Sequence, residues 1–230
     1  VCLFSCTYIV RSIVEEKSSK LVESLMVSVK SEALILGKIL AVMTFIFAMI
    51  AALIIGFGLS YVVTGMFMDT SVIGESLASM GITSDLLNIG PGLIVIALIS
   101  LLLAYMIFAL ISALNGAGCS NMEDVEAANT TAVMVVMAGY LVSVIGTSFG
   151  SDPSLFLSLC PIVSAFSAPI YYVIGDIGLG VLIASWIIQI ACILLIHKVS
   201  SKVYDSLIMY KGSRLKTGQI LAMAGRKGVK

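Results

Sequence analysis

Long apolar stretches separated by short polar segments dominate the chain. Crossing about 30 Å of hydrocarbon takes about 20 apolar residues in a helix, because lipid cannot bond the backbone N–H and C=O groups. Four stretches of at least 19 residues contain no Asp, Glu, Lys or Arg, namely 39–64, 91–114, 131–149 and 177–197. The pattern predicts an all-α, polytopic membrane helix bundle with these four full spans.

Two further apolar segments are harder to place. The first, 1–14, has only ten uncharged residues before Arg11, so we interpret it as a truncated span. The second, 153–175, is uncharged over 23 positions and has the length of a fifth span. Its three prolines, at 153, 161 and 169, are expected to interrupt a continuous helix. We therefore predict a broken, re-entrant or interfacial element on the outer side of the membrane.

Composition and charge support this topology. Hydrophobic residues make up 60% of the chain, charged residues 11%, and mean hydropathy is +1.13, which excludes an ordinary soluble domain. All 13 Lys and Arg lie in 11–38 and 198–230, separated by 159 positions without a basic residue. The positive-inside rule places both windows in the cytoplasm and requires an even number of crossings. Segment 65–90 then lies outside, 115–130 is cytoplasmic, and 1–230 forms one transmembrane domain.

Segment 15–37 is predicted to form a cytoplasmic amphipathic helix, because its apolar residues fall mostly on one helical face. Such a helix can lie in the lipid headgroup layer, or it can act as a lever that docks on a cytoplasmic partner. Its mixture of acidic and basic residues favours a protein surface over anionic lipid.

The second cytoplasmic loop is acidic, with Glu123, Asp124 and Glu126 beside a span and no compensating base. A solvated helix start would explain these carboxylates, since acids favour helix N-termini. A partner with a basic cleft is the alternative. Farther on, the last span is predicted to continue as one helix past His197 into the tail 198–230, as far as Gly212.

Two catalytic motifs are absent from the sequence. It contains no HExxH and no P-loop pattern, and its five cysteines form no CxxC pair. The only histidine, His197, lies at a membrane boundary, where a snorkelling side chain is expected. The spans contain no acid or base, which argues against a carboxylate protease and a secondary transporter. We therefore expect no enzyme activity, bound cofactor, metal or nucleic-acid partner.

Small and mildly polar residues within the spans are candidates for lining a substrate path. Each of them is also explained by hydrogen bonds that join membrane helices. The candidates are Thr44, Ser60, Tyr61, Ser100, Tyr105, Ser112, Tyr140, Ser143, Thr147, Ser185 and Gln189.

Several segments together resemble one family of membrane proteins. The strings IVEEKSSKLVESLMVSVKSEALILGKIL, SALNGAGCSNMEDVEAAN, CPIVSAFSAPIYYVIGD and YDSLIMYKGSRLK occur in chain order. They are similar to the post-helix segment, acidic loop, proline-containing outer segment and closing tail of type-2 ABC exporter permeases, particularly the sodium-export and multidrug-like branch. The chain departs from that pattern at Thr130 and Thr131, where a proline often follows the acidic loop.

The resemblance implies a six-span subunit, of which the first helix and an outer domain are not present here. It also implies pairing with a second permease chain and with separate nucleotide-binding ATPase subunits, which would hold ATP and magnesium. The expected ATPase-coupling residues are Glu15, Glu16, Lys17, Ser18, Lys20 and Glu23, together with Glu123, Asp124 and Glu126 of the acidic loop.

We therefore predict a permease subunit of an ATP-driven exporter in the inner membrane of a prokaryotic cell. The alternative is a non-transporting immunity or sensor subunit that uses the same helix to dock on a cytoplasmic partner. Sodium, drugs, peptides and lipids all remain open as substrates.

Overall fold

The computed structural model describes residues 2–19, 31–67, 91–148, 154–208 and 218–219, and every regular element in these ranges is helical. The all-α prediction is confirmed. A 3-10 turn, Met122–Asp124, precedes the fourth helix. The α-helices in chain order are α1 (Cys2–Ser18), α2 (Ser31–Phe67), α3 (Pro91–Ala117), α4 (Val125–Ser148), α5 (Ser154–Leu159), α6 (Pro161–Ile174) and α7 (Leu179–Ile208).

Four of these helices are long and apolar enough to cross a membrane, which confirms the four predicted spans. The qualifying segments are Ala33–Met66, Gly92–Ala117, Met122–Gly146 and Leu179–Ser201. Their outer faces carry exposed apolar side chains such as Ile54, Phe57 and Leu195. Such exposure suits helices surrounded by lipid, because the solvent is then as apolar as the side chain.

Helix α1 lies at the centre of one end of the bundle. Its residues Ile9, Val10, Ile13 and Val14 are at most 1% exposed. They recur at helical spacing and form a stripe that packs into the core. A Cβ atom placed on Gly116 of α3 would lie 3.2 Å from both the Cα and the carbonyl oxygen of Val10, so α1 and α3 approach closely here.

Helices α5 and α6 form a short hairpin that changes direction at Cys160. The Ser167 hydroxyl donates to the Leu157 carbonyl at 3.2 Å and joins the two arms. Pro161 occupies the first turn of α6, where its missing N–H costs nothing. The expectation that Pro169 interrupts the helix is wrong. Helix α6 continues through it to Ile174, because one lost N–H leaves the other helical bonds in place.

The hairpin penetrates only part of the bundle. Ile162, near its tip, faces Gly139 in the interior of α4, where an added Cβ would lie 3.0 Å from the Ile162 side chain. The Gln189 amide of α7 donates to the Ser164 hydroxyl at 3.1 Å, well before α7 ends at Ile208. Helix α6 then returns toward the end of the bundle at which α7 begins.

The ends of α1, α3 and α7 come together on one side of the bundle. The Lys17 ammonium of α1 donates to the carbonyls of Ala117, at the C-terminal end of α3, and of Leu207, in the last described turn of α7. We call this side the charged end, which comprises 12–19, 31–38, 115–126 and 198–208. The described parts of both basic windows therefore extend to the same end of the bundle, as an even number of crossings requires.

Some predicted segments fall partly outside the described ranges. Of the predicted amphipathic helix 15–37, residues 15–18 belong to α1 and 31–37 belong to α2, whereas 20–30 lie outside the described residues. Most of the predicted outer loop 65–90 also lies outside them, as does the tail beyond Ile208 except 218–219. The last helix extends beyond His197 to Ile208, and the predicted continuation to Gly212 lies outside the described residues.

Candidate functional site

The last turn of α1 holds Lys17 between two other helices. Its ammonium nitrogen lies 2.8 Å from the Ala117 oxygen and 2.6 Å from the Leu207 oxygen. Ala117 is the last residue of α3, and the final carbonyls of a helix lack partners within it and carry the negative end of the helix dipole, so a cation is favourable there. Burial lowers the pKa of Lys17 from 10.5 to about 8, which still leaves the amine mostly protonated at pH 7.

The preceding residue, Glu16, connects α1 to α2. Its carboxylate accepts from the Lys38 ammonium at 2.6 Å, and the Lys38 side chain is only 13% exposed. The same ammonium donates to the main-chain oxygen of Ser12 at 3.2 Å. Because Lys38 lies near the start of α2, the contact brings the starting turns of that helix to the charged end.

Glu15 and Ser18 point toward solvent instead. Glu15 pairs with Arg11 at 2.9 Å, one turn earlier on α1, and both side chains are more than half exposed. An exposed pair of this kind adds little to stability, so Glu15 can accept another partner at small cost. The Ser18 hydroxyl donates to the Glu15 carbonyl at 3.0 Å and is also exposed. The other two predicted coupling residues, Lys20 and Glu23, lie outside the described residues.

The acidic loop packs beside α1. Val14 shares a buried apolar cluster with Cys119 and Ala128, which flank the loop on either side. The Thr7 hydroxyl of α1 lies 3.0 Å from the Asn129 side-chain oxygen of α4, to which it donates. The two predicted coupling segments, which are far apart in sequence, therefore lie side by side at the charged end.

The acids of this loop differ in exposure. Glu123 and Glu126 are exposed, whereas Asp124 is half-buried. Beside them, Met122 exposes 42% of its surface at the start of the 3-10 turn. An exposed thioether next to carboxylates is a combination that a protein partner can bury, since methionine adapts to irregular surfaces.

A groove of about 460 Å³ opens between α1 and α2. The Glu16–Lys38 ion pair lies on its wall, and Tyr8 stacks on Phe45 with ring centroids 6.3 Å apart. None of the predicted path-lining residues borders this groove. Within the described ranges, no three His, Cys, Asp or Glu side chains come together as a metal site.

Some predicted path residues are buried at helix contacts. The Tyr105 hydroxyl donates to the Ile39 carbonyl at 2.6 Å and joins α3 to α2. The Gln189 amide donates to Ser164 at 3.1 Å and to Ser185 at 3.2 Å. Other members of the set are also buried. Ser100 accepts from the Trp186 indole at 3.1 Å, Ser112 donates to the Phe108 carbonyl at 2.7 Å, and Ser143 is 1% exposed.

The remaining path candidates lie on the surface of the bundle. Thr44 and Ser60 are exposed on α2, and Tyr140 is 48% exposed on α4 while its ring meets Phe166 edge-on. The side chains of Tyr61 and Thr147 lie outside the described residues. The candidates are therefore dispersed over several interfaces, and their role in a path stays a prediction.

Comparison with known proteins agrees with a bundle of membrane spans. The sequence profile of a family described as ABC-2 family transporter protein matches residues 1–197. The chain belongs to this family. As an ABC-2 protein it is a multi-pass membrane protein and the permease component of an ABC transporter. No curated protein and no solved structure matches the chain significantly.

The sequence of this ABC-2 permease contains a signal for one contact at the charged end. Lys17 follows Val10, Ile13 and Val14 at helical spacing, so it continues the buried stripe of α1 and does not lie on its polar face. The contacts of Lys38 with Glu16 and of Ser164 with Gln189 left no such signal in the sequence, because each joins two different helices.

Proposed function

We propose that this chain is the permease subunit of an ATP-driven exporter and that separate nucleotide-binding subunits dock on its charged end. The observation that supports this most directly is the packing of α1 against the acidic loop through Val14, Cys119 and Ala128. It leaves the carboxylates of Glu15 and Glu123 exposed on the same side of the bundle. A partner with basic groups can therefore bind both segments at once.

The charged end would face the cytoplasm. Arg11, Lys17, Lys38 and Lys198 all belong to it or border it, whereas the described residues at the opposite end include Asp176 but no base. The positive-inside rule favours this orientation. ATP and magnesium would be held by the partner subunit, whose nucleotide-dependent movement would then act on the end of α1.

A second permease chain would complete the substrate path. Thr44, Ser60 and Tyr140 are exposed on the bundle, so they are the predicted path residues that another copy can face. The Tyr105 hydroxyl and the Gln189 amide N–H group form hydrogen bonds inside one copy and would instead hold its helices together.

The docking proposal can be tested by co-purification of the permease with co-expressed nucleotide-binding ATPase subunits from the same genome. Glu123→Lys combined with Glu126→Lys should weaken ATPase binding. At roughly 0.2–1 kcal/mol per exposed ion pair, with repulsion added on charge reversal, we expect about a tenfold loss in affinity. The matched control is Asp176→Lys, because Asp176 is an exposed acid at the opposite end of the bundle.

Equal binding by the double variant and the wild type would contradict docking on the acidic loop. If the wild type itself retains no ATPase subunit, docking of that subunit on the charged end is contradicted, and the alternative of a subunit that docks on another cytoplasmic partner is favoured.

A further inference from the structure

One ammonium group joins three helices at the charged end. Lys17 belongs to α1, and its two acceptors are the main-chain oxygens of Ala117 on α3 and Leu207 on α7. Ala117 and Leu207 are themselves fully buried and belong to the same apolar cluster as Ile13, one turn before Lys17. The ammonium therefore lies at the edge of the core that packs α1 against both spans.

Neither ion pair of the described residues uses Lys17. Glu15 pairs with Arg11, and Glu16 pairs with Lys38. The charge of Lys17 is stabilised instead by two main-chain carbonyls, of which that of Ala117 ends α3 and carries the negative end of its helix dipole. The hydrogen bonds of Lys17 therefore depend on the positions of the backbones of α3 and α7. A carboxylate partner would differ, because its mobile side chain could follow Lys17 when the helices move.

Lys17 is also rigidly connected to the exposed part of α1. Ser18 is the next residue of the same helix, and Glu15 lies two residues before Lys17. Displacement of this exposed turn moves Lys17 by nearly the same amount, because a hydrogen-bonded helix turn does not stretch. Displacement of the end of α1 therefore acts on the bonds to Ala117 and Leu207.

We infer that Lys17 is a positioning residue that fixes the ends of α3 and α7 to α1, so that the three helix ends move as one unit. This inference rests on the proposed function only for the origin of the movement, namely an ATPase that presses on α1. It assigns Lys17 a role inside the permease, whereas Glu15 and Ser18 form the surface that the ATPase contacts.

The experiment compares the wild type with two variants. Lys17→Met keeps the length of the side chain but loses its charge and its N–H donors, whereas Lys17→Arg keeps the charge and the donors. Glu15→Gln is the control, because it removes a charge from the same turn without touching either carbonyl. Nitroxide labels on genetically encoded ketone residues at Met122 and Lys198 report the distance between the loop after α3 and the later part of α7. Both positions are exposed, and the native cysteines remain unchanged.

In the permease alone, we expect Lys17→Met to broaden the distance distribution, with Lys17→Arg restoring a narrow one and Glu15→Gln leaving it unchanged. In the complex, Lys17→Met should retain the ATPase subunit but lose the ATP-dependent shift in distance. Should Lys17→Met not yield monodisperse protein, Lys17→Gln, which keeps a shorter N–H donor, replaces it.

A distance distribution of Lys17→Met identical to that of the wild type would overturn the inference. If Lys17→Met with this unchanged distribution also loses ATPase binding, Lys17 is a docking residue instead. If the wild type binds no ATPase, the proposed function fails, whereas the measurement on the permease alone still decides whether Lys17 fixes the helix ends.

Discussion

The close approach of α1 to α3 should make Gly116 sensitive to a single added methyl group. In Gly116→Ala, the new Cβ would lie 3.2 Å from the Cα and the oxygen of Val10 and 3.4 Å from the Ile13 Cβ. Carbon atoms in favourable contact are about 3.5–4.0 Å apart. Two of these neighbours are backbone atoms, which cannot rotate away, so α1 has to shift as a whole.

The size of the effect follows from two opposing contributions. Overpacking of a well-packed site costs about 1–3 kcal/mol. Replacing glycine by alanine within a helix gains at most about 1 kcal/mol in helix propensity. Gly56→Ala is the matched control, because a Cβ there meets nothing within 4 Å and only the propensity changes. We therefore expect Gly116→Ala to be less stable than Gly56→Ala by about 1–3 kcal/mol.

A thiol-reactive dye can measure this difference during thermal unfolding in detergent. Cys2, Cys6 and Cys119 are buried and become accessible when the bundle opens. In a chain of this size, 1 kcal/mol corresponds to about 2–4 °C in Tm. An equal or higher Tm for Gly116→Ala than for Gly56→Ala would refute the close α1–α3 contact.

Three further predictions concern buried polar groups. Ser100→Ala removes the acceptor of Trp186, the sole tryptophan, and should shift its emission to shorter wavelength, whereas Ser60→Ala at an exposed position should leave it unchanged. Gln189→Leu should change Tm by only about 1–3 °C, because hydrogen bonds between membrane helices average about 0.6 kcal/mol, and a larger loss would contradict this value. The third prediction uses the lowered pKa of Lys17. Above pH 8, Lys17 of the folded chain releases its proton, whereas in the unfolded chain its pKa is near 10.5 and it keeps the proton. The free-energy cost of burying the charge therefore disappears from the folded state. The Tm of the wild type relative to Lys17→Met should therefore rise between pH 8 and 10, and a constant or falling difference would argue against burial of the ammonium.

The candidate site was only partly predictable. The sequence and its resemblance to type-2 exporter permeases pointed to Glu15 through Ser18 and to the acidic loop at 123–126 as coupling segments. The structure places both segments at one end, but it also separates their members. Glu15 and Ser18 are exposed, whereas Glu16 and Lys17 bind other helices. Neighbouring residues on a helix point in different directions, so a motif of consecutive residues does not share one environment.

By itself, the sequence determined the helical class and the four spans. These depend on a local property, the length of apolar chain that can satisfy its own backbone in lipid. Only the tertiary structure decided which residues meet across helices. Lys17 binds main-chain oxygens of Ala117 and Leu207, which every residue possesses, so no side-chain identity marks them as its partners. The depth of the α5–α6 hairpin, set by Ser164 against Gln189, likewise depends on the packing of helices that no local pattern encodes.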